Sequence, residues 1–449
     1  MKLTAFDVAD RLGLRRPARN MIIRQVVTDS RQVKENTLFA ALVGERVDGH
    51  DFIPTLDTKF QNVMFLCSKK TGAKHDELVC DDVLRALADV ASLHLQSMPA
   101  KRVAVTGSVG KTTTKEMIAC ALSGKYSVQK SLANRNNELG MPLTAFTVDE
   151  SHGAAIFEMG MRGKGQIDYL ARRVRPKVGV ITNIGVSHIE LLGSRENICA
   201  AKMELANYIA RDGVLILNGD EPLLREAAKN VMAKVRFFSI DTAGDYRAEN
   251  ITLSENAVAF TLHCSKGTFD VTVPCGGKHT VYNALAAFAV ADALEVAPEI
   301  ILKQLSCYAD GGLRQNIYKQ ADLLIFDDTY NAAPESMQAS LGVMSAYPNR
   351  KIAVLADMLE LGDYSQEAHQ RVGTACNECG TDVLISFGSF SQTMVDAFKG
   401  QGYAFDTREE ALEKLLEIAK KEDIILFKGS HSMQCDILLQ DFLKRWKNK

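Results

Sequence analysis

The chain has 449 residues, of which 46% are hydrophobic and 24% are charged, and its formal net charge is -2. This length predicts two or three domains, because a single hydrophobic core rarely grows beyond about 250–300 residues. The ordinary composition and near-neutral charge exclude a disordered chain and a general nucleic-acid-binding surface. No apolar run reaches the roughly 18 residues that a membrane-spanning helix needs, so we expect no membrane insertion. The ten cysteines are scattered and no signal-peptide pattern is found, so we expect a cytoplasmic protein with reduced thiols.

Residues 1–97 predict a small α/β domain. Its strands are predicted at 25–28, 37–42 and 62–66, and its helices at 5–12 and 82–96. Asp29, Ser30 and Asp48 lie in polar clusters at strand ends, where open α/β sheets bind ligands. Turn and capping chemistry explains these side chains equally well, so both interpretations stay open.

A phosphate-binding loop is predicted within residues 103–115, where a short apolar strand leads into TGSVGKTTTK. Gly107 and Gly110 allow backbone amides to converge on phosphate oxygens, and Lys111 adds a positive charge. The hydroxyl of Thr112 can reach a Mg²⁺ ion bound to the same phosphate. The loop is shorter than the general G-x-x-x-x-G-K-[ST] pattern. This difference reduces the number of nucleotide-binding families that the sequence fits. An ordinary glycine turn with a solvated lysine is the alternative, and the preceding strand and the Lys-Thr pair disfavour it.

Two further apolar runs predict parallel strands that are buried on both faces. The run 154–157 ends in Glu158, and the run 178–182 leads into a segment that ends in His188. Both polar residues therefore lie at the sheet edge on which the phosphate loop opens. Glu158 is a candidate Mg²⁺ ligand, since Mg²⁺ prefers oxygen donors, although a solvated charge is the alternative. His188 is equally well explained as a structural histidine or as a site residue.

The second half of the chain predicts a change from alternating strands to another α/β domain. Alternation at 257–263 and 268–273 predicts an antiparallel hairpin, a long apolar helix follows at 281–294, and the domain changes within 306–315. Further strands are predicted at 323–326, 352–355, 383–387 and 424–427, with a helix at 409–420. This second nucleotide-fold-like sheet lacks a phosphate loop, and its strand-end residues are expected to face the central site across a cleft.

Cys376 and Cys379 form the only C-x-x-C pair. No second pair and no histidine spacing suited to zinc accompanies them. A buried packing role on a helix is therefore favoured over a metal-binding or redox role.

In their order and spacing, the motifs of this chain resemble those of the ATP-dependent Mur ligase family over nearly the whole length. The segments that carry the resemblance are 29–31, 48–52, 106–115, 134–142, 158–160, 182–190, 201–202, Asn283, 327–331, 357–362 and 428–430. The resemblance implies three α/β domains: residues 1–97 holding the UDP end of the substrate, 98–312 forming a mostly parallel ATP-binding domain with an antiparallel hairpin, and 313–449 forming a Rossmann-like domain for the incoming amine and ADP. Within the family, the motifs are most similar to those of ligases that add D-alanyl-D-alanine to UDP-N-acetylmuramoyl-tripeptide in peptidoglycan precursor synthesis.

The resemblance also implies the cofactors and site residues. ATP would be bound by Gly107, Ser108, Val109, Gly110, Lys111, Thr112, Thr113, Asn283, Arg314 and Asp328. Two Mg²⁺ ions would be held by Thr112, Glu158, His188 and a carbamylated Lys202, with Lys111, Lys202 and His188 acting in catalysis. The substrates would contact Ser30, Arg31, Asp48, His50, Asn136, Asn137, Tyr330, Asn331, Asp357, Glu360 and Lys428. From the residues alone, Lys202 is predicted to be a solvated lysine on a helix, and Arg314 could instead form an interdomain ion pair.

Four positions depart from the usual family pattern. Ala333 replaces an asparagine, Ala356 a glycine, His431 an arginine and Asn36 a glycine. Most of these changes lie in the C-terminal part, to which the resemblance assigns the amine substrate. The alternatives are a family ligase that joins another amino acid or dipeptide, a P-loop ATPase or kinase that forms no amide, and a noncatalytic UDP-sugar binder. We expect a monomer that binds no nucleic acid.

Overall fold

The computed structural model describes residues 1–132, 134–309 and 316–447 of the chain. The predicted site residue Arg314 lies outside these ranges. The fold is mixed α/β with three mostly parallel or wholly parallel sheets, which confirms the predicted fold class. Within the described residues, no helix is both long and apolar enough to span a bilayer.

The N-terminal part contains a four-stranded parallel sheet and a two-stranded antiparallel ribbon. Its elements are β1 (Leu3–Thr4), α1 (Ala5–Leu12), β2 (Ile22–Ile23), β3 (Gln25–Val27), β4 (Thr37–Ala40), α2 (Ile53–Lys59), β5 (Val63–Cys67), β6 (Glu77–Val79) and α3 (Val83–Gln96). Helix α1 begins as predicted because Thr4 and Asp7 form a capping box, and it ends at Gly13, whose φ is 65°. Asn36 adopts a φ of 62°, a conformation that glycine adopts freely and asparagine tolerates better than most residues, so this departure from the family pattern retains the turn.

The central part is built on a nine-stranded sheet with the order β15-β14-β13-β12-β11-β10-β7-β9-β8. Its strands are β7 (Lys101–Thr106), β8 (Val128–Lys130), β9 (Ala154–Glu158), β10 (Val178–Ile181), β11 (Val214–Asn218), β12 (Lys234–Ser239), β13 (Tyr246–Leu253), β14 (Val258–Cys264) and β15 (Gly267–Val273). Its helices are α4 (Lys111–Ser123), α5 (Gly140–Ala145), α6 (Gln166–Val174), α7 (Ile189–Leu192), α8 (Arg195–Met203), α9 (Pro222–Ala228), α10 (Lys278–Ala293) and α11 (Pro298–Ser306). The predicted hairpin is confirmed, because β14 and β15 pair antiparallel throughout. Strand β12, which precedes the hairpin in the chain, pairs parallel with β11.

The C-terminal part is a six-stranded sheet with the order β16-β17-β21-β18-β19-β20, in which only β16 is antiparallel to its neighbour. Its strands are β16 (Asn316–Gln320), β17 (Leu323–Asp327), β18 (Lys351–Ala356), β19 (Val383–Phe387), β20 (Gln401–Phe405) and β21 (Ile424–Lys428). Its helices are α12 (Pro334–Met344), α13 (Ser365–Glu378), α14 (Ser391–Ala397), α15 (Arg408–Ile418) and α16 (Cys435–Trp446). Short 3₁₀ turns occupy Ser30–Gln32, Gly49–Phe52, Glu204–Tyr208, Gly362–Tyr364 and His431–Met433.

One hydrophobic cluster joins the central and C-terminal parts. It contains Met159 and Ile184 from the central part together with Met337 and Met358 from the C-terminal part. Buried apolar contact of this kind is the main favourable term in packing, so the two parts lie against each other at the carboxyl ends of their strands. The predicted domain boundaries at 97/98 and 312/313 remain predictions.

Cys376 is buried on α13, and Cys379 packs, half-buried, at the end of the same helix. Burial raises the pKa of the Cys376 thiol to about 12, which keeps it protonated and unreactive. These contacts support the packing role for the C-x-x-C pair.

Candidate functional site

Three neighbouring parallel strands bring the predicted site residues to one sheet edge. β7 lies between β9 and β10, with Val105 opposite Glu158 and Thr106 opposite Ile181. The loop after β7, the last residue of β9 and the segment after β10 therefore meet at the carboxyl edge of the sheet.

The loop of residues 107–110 is held by the segment that follows β10. The backbone amide of Val109 donates to Asn183 Oδ1 (3.0 Å), and Thr182 Oγ1 donates to the carbonyl of Val109 (2.7 Å). The backbone amide of Ser108 donates to the carbonyl of Asn183 (3.2 Å), and the hydroxyl oxygen of Ser108 accepts the backbone amide of Gly185 (2.9 Å). These bonds fix the loop, although the sequence pattern did not single out Thr182 or Asn183 for this bracing.

Position 107 requires glycine, because the backbone there lies too close to Thr182 for a side chain to fit. A Cβ atom there would lie 1.9 Å from Thr182 Oγ1. We expect Gly107→Ala to displace the loop and to weaken ATP binding at least tenfold, measured by titration with a fluorescent ATP analogue. Gly163→Ala is the matched control, because no atom lies within 4 Å of a Cβ at that position. Equal affinities for the two variants would contradict the requirement.

Lys111 and Thr112 begin α4 directly beside the loop. Lys111 Nζ donates to the carbonyls of Gly107 (2.8 Å) and Ser108 (3.0 Å), so its charge is held over the loop. Thr112 Oγ1 donates to Glu158 Oε2 (3.0 Å), which brings the two predicted metal ligands together. Thr113 follows on the same helical turn and is half-buried.

Glu158 is almost completely buried, and a lysine that the sequence analysis did not select neutralises it. Lys115 Nζ lies 3.5 Å from Glu158 Oε2 and donates to the carbonyl of Ser131 (2.7 Å). Asn136 Nδ2 donates to the other carboxylate oxygen (2.9 Å). Lys115 is one helical turn after Lys111 and is followed by the apolar Met117 and Ile118, a pattern that could have predicted an inward-facing side chain.

Asn136 and Asn137 have different surroundings. Asn136 is bound to Glu158, whereas Asn137 Oδ1 accepts the backbone amide of Gly140 (2.8 Å) at the start of α5. The structure therefore brings the first to the central cluster and gives the second a capping contact.

Lys202 lies on α8 and is 2% exposed, so the prediction of a solvated lysine from the residues alone is wrong. Burial lowers the pKa of Lys202 well below its usual value, and the nearby charge of Lys111 lowers it further. Burial therefore favours the neutral amine of Lys202 more than solvent would.

His188 is half-buried just before α7, with a φ of 64°. Burial lowers the pKa of His188; the Glu360 carboxylate opposes this effect, while Lys111 and Lys202 add to it. These electrostatic effects place Lys111, His188 and Lys202 in one neighbourhood.

The residues partly fit a divalent cation. Glu158 and Thr112 supply the hard oxygen donors that Mg²⁺ prefers alongside phosphate oxygens. Across residues 1–132, 134–309 and 316–447, no group of three His, Cys, Asp or Glu side chains is arranged to hold a metal. An unmodified Lys202 has no oxygen atom to bind the cation. Thr112 and Glu158 would therefore need further ligands from phosphate, water or a modified lysine.

Asn283 lies on α10, which packs against α4. Its Oδ1 accepts from Thr114 Oγ1 (2.9 Å) and lies 3.4 Å from where a Cβ of Gly110 would be. The structure thus places Asn283 beneath the second loop glycine.

In the C-terminal part, Asp328 and Lys428 form a buried pair at the ends of β17 and β21. Lys428 Nζ donates to Asp328 Oδ2 (2.6 Å) and to the carbonyl of Asn331 (3.1 Å). Tyr330 is 40% exposed beside His431, with 6.2 Å between ring centroids. Asp328, Tyr330, Asn331 and Lys428 therefore form one strand-end cluster.

Asp357 has a local role in the structure. Its two carboxylate oxygens accept the backbone amides of Ser389 (2.7 Å) and Phe390 (3.1 Å), ahead of α14. Glu360, three residues later, instead contacts the ring Nδ1 of His188 in the central part. The predicted segment 357–362 thus contains two residues with different roles. Asp357 fixes a loop of its own domain, and Glu360 contacts the central site.

The predicted N-terminal residues form capping contacts. Asp29 accepts the backbone amide of Arg31 (3.0 Å), and the bond to the Arg31 side chain lowers the pKa of Asp29 to about 2. Asp48 accepts the amide of His50 (2.9 Å) and pairs with its Nδ1 (2.6 Å), while His50 Nε2 accepts the amide of Ser68 (3.0 Å). Ser30 begins the first 3₁₀ turn. The capping interpretation therefore accounts for Asp29 and Asp48, and the predicted substrate-binding role of Ser30, Arg31, Asp48 and His50 stays a prediction.

Sequence comparison matches all three parts to one family. Residues 22–92 match the Mur ligase family catalytic domain, 105–291 the Mur ligase middle domain, and 314–431 the Mur ligase glutamate ligase domain. The chain is 36% identical to the UDP-N-acetylmuramoyl-tripeptide–D-alanyl-D-alanine ligase of Bacillus subtilis, over 94% of both chains. The chain belongs to the Mur ligase family. This confirms the family resemblance deduced from the motifs.

Solved structures of Mur ligases agree with this membership. MurF from Acinetobacter baumannii superposes with a TM-score of 0.90 at 32% identity, covering 99% of both chains. MurF from Thermotoga maritima in complex with ADP gives a TM-score of 0.85 at 28% identity, covering 96% of this chain and 99% of that one. The three-part α/β architecture is therefore that of Mur ligases, and the loop edge of the central sheet is the part of the fold suited to a nucleotide.

Proposed function

We propose that this protein is an ATP-dependent amide ligase that adds D-alanyl-D-alanine to UDP-N-acetylmuramoyl-tripeptide, forming ADP and phosphate. The observation that carries the proposal is the edge cluster of Lys111, Thr112 and Glu158 around a braced phosphate loop. Relatives with this activity align over nearly their whole length with this chain. The product serves peptidoglycan precursor synthesis, and we propose a cytoplasmic monomer that binds no nucleic acid.

The chemistry requires activation of a carboxylate. The terminal carboxylate of the peptide attacks the γ-phosphate, ADP leaves, and an acyl phosphate forms. The amine of D-alanyl-D-alanine then attacks the acyl carbon, and phosphate leaves from a tetrahedral intermediate. Because two anions must approach in the first step, cationic groups at the loop edge are essential.

The residues of the central part have distinct proposed roles. The amides of residues 107–113 and the Lys111 ammonium bind the β- and γ-phosphates, and Asn283 contacts the adenine. Thr112 and Glu158 would hold one Mg²⁺ ion, and His188 with a carbamylated Lys202 would hold a second. When bound, Mg²⁺ supplies charge neutralisation between the attacking carboxylate and the phosphate.

Carbamylation of Lys202 is supported by burial and lowered basicity. A neutral amine attacks CO₂ through its lone pair, forming an N–C bond and releasing one proton, and the product carries a carboxylate. The lowered pKa of Lys202 favours this reactive neutral form. The carbamate would supply the oxygen donors that an amine lacks.

Substrates approach from the other two parts in this proposal. The N-terminal residues Ser30, Arg31, Asp48 and His50, together with Asn136 and Asn137, hold the UDP-linked peptide. The C-terminal cluster of Tyr330, Asn331 and Lys428, with Asp357 and Glu360, shapes the site for the amine. Arg314 and Asp328 reach ADP from the C-terminal side.

The direct test is phosphate release from ATP in the presence of UDP-N-acetylmuramoyl-tripeptide and D-alanyl-D-alanine. We expect release to require both substrates and Mg²⁺, and the product mass to equal that of the joined peptide. Phosphate release that continues unchanged when either substrate is omitted would overturn the proposal.

A second candidate is a Mur ligase that joins another amino acid or dipeptide. The observation that favours this second candidate is His431, which lies beside Tyr330 in the C-terminal cluster. The family commonly has arginine at this position. A panel of amines separates the two candidates, since only the preferred amine will combine high turnover with a low KM.

A further inference from the structure

Glu360 of the C-terminal part makes a contact with the central part that its proposed place in the amine site does not explain. Its carboxylate Oε2 contacts Nδ1 of His188, although the two residues are 172 positions apart. The backbone amide of Glu190 also donates to the carbonyl of Glu360 (3.4 Å). The C-terminal part thus holds the segment that begins α7 through both a side chain and a main-chain bond.

The backbone at both ends of this contact is unusual. His188 has a φ of 64° and Glu360 a φ of 63°, in the left-handed region that residues with a side chain rarely adopt. A residue with a side chain is strained in this conformation, so the surrounding structure must stabilise it. Gly362 lies against Glu190, where an added Cβ would be 3.3 Å from Glu190 Cβ, which shows how closely the two turns approach.

The chemistry of a histidine held in this way is specific. A carboxylate beside Nδ1 keeps the proton on that nitrogen, so Nε2 carries the free lone pair. Metal-bound histidines commonly have this arrangement, in which the carboxylate fixes the tautomer and the ring orientation. Lys111 and Lys202, the other charged groups that influence His188, belong to the central part.

We propose that Glu360 is a positioning residue that fixes His188 for metal binding, so that metal affinity depends on the C-terminal part being closed against the central part. This inference rests on the proposed function, in which His188 is a metal ligand. Because coupling is reciprocal, a metal ion bound with nucleotide stabilises the closed arrangement in turn. The domain that delivers the amine would thereby help to complete the site that activates the acid.

The test compares two variants of the full-length chain, Glu360→Gln and Glu335→Gln. Each removes one negative charge from the same interface and keeps the side-chain size. Glu335 Oε1 accepts the backbone amide of Val186 (3.1 Å) rather than a histidine, so Glu335→Gln is the matched control. Thermal unfolding sets a temperature at which both variants are folded.

Mn²⁺ binding in the presence of ADP is measured by electron paramagnetic resonance. Loss of a carboxylate that orients a metal-bound histidine typically costs about 10–100-fold in metal affinity, so we expect Glu360→Gln to weaken Mn²⁺ binding about tenfold or more. Glu335→Gln is expected to stay within about twofold of the parent. In the parent, ¹⁵N shifts of His188 should show the Nδ1-protonated tautomer, and in Glu360→Gln a mixture of tautomers.

Equal Mn²⁺ affinity in the two variants, or tighter binding by Glu360→Gln, would overturn the inference. Tighter binding would mean that the carboxylate blocks the metal rather than preparing its ligand. Failure of the proposed function would differ from both results, because the parent protein itself would then form no amide.

Discussion

Lys202→Ala is expected to lower the turnover of the folded protein by about 10²–10³-fold. In the proposed site, Lys202 would supply a carbamate oxygen to a metal ion, and loss of one preorganised electrostatic group typically costs about 10²–10³-fold in kcat. The alanine variant would also lose the amine that carries the proposed carbamate. Steady-state phosphate release, with thermal unfolding measured in parallel, gives the result.

Rescue by small acids separates a carbamate from a lysine that acts by its charge. Formate or acetate can occupy the space left in Lys202→Ala and present a carboxylate to the metal, so we expect turnover to recover in part as their concentration rises. Methylammonium, which replaces the amine alone, should not restore it. Lys229→Ala, an exposed lysine paired with Glu226, is the control and should retain full activity. Unchanged turnover in Lys202→Ala would remove this residue from the site.

Lys115→Met is expected to lower the free energy of unfolding by about 3–5 kcal/mol, the usual cost of removing one partner of a buried ion pair. Lys115 is completely buried, and its ammonium lies 3.5 Å from Glu158 and 3.2 Å from Glu116. Without it, Glu158 keeps only the neutral donors Thr112 and Asn136. Urea unfolding with unchanged slope measures the difference.

A double-mutant cycle identifies the source of this loss. Adding Glu158→Gln to Lys115→Met removes the buried charge that had lost its partner. The loss in free energy of unfolding for the double variant should therefore be about 0.5–3 kcal/mol smaller than the sum of the two single-variant losses. Lys130→Met is the control, because the Lys130 side chain is 36% exposed and pairs with Glu116 rather than with Glu158. Its expected loss is below about 1 kcal/mol. Additive losses for Lys115 and Glu158 would contradict the coupling.

Much of the fold could be predicted because its local signals agree with one another. The continuous apolar runs at β9 and β10 fit strands buried on both faces, and both lie within the sheet as expected. The alternation around residue 260 matched an antiparallel hairpin. Four of the six described strands of the C-terminal sheet were predicted within one residue of their observed bounds, whereas β16 and β20 were not predicted.

The side-chain arrangement of the site was less predictable, for physical reasons. Whether Lys202 is buried depends on which face of α8 packs inward, and this is decided by tertiary contacts. The bond between Glu360 and His188 joins turns from two different sheets, and no sequence period relates them. Lys115 was overlooked because a charged residue on a helix is ordinarily solvated, whereas here Ser131 and Glu158 compensate its burial.

The central claim is that the loop edge of the middle sheet activates a carboxylate by phosphorylation. The most direct measurement uses UDP-N-acetylmuramoyl-tripeptide with ¹⁸O in both oxygens of the terminal carboxylate, together with ATP and D-alanyl-D-alanine. If an acyl phosphate forms, the bridging oxygen leaves with the phosphate, so each inorganic phosphate released will carry one ¹⁸O atom. Phosphate without ¹⁸O would mean that water, and not the carboxylate, attacks ATP, and would contradict the account.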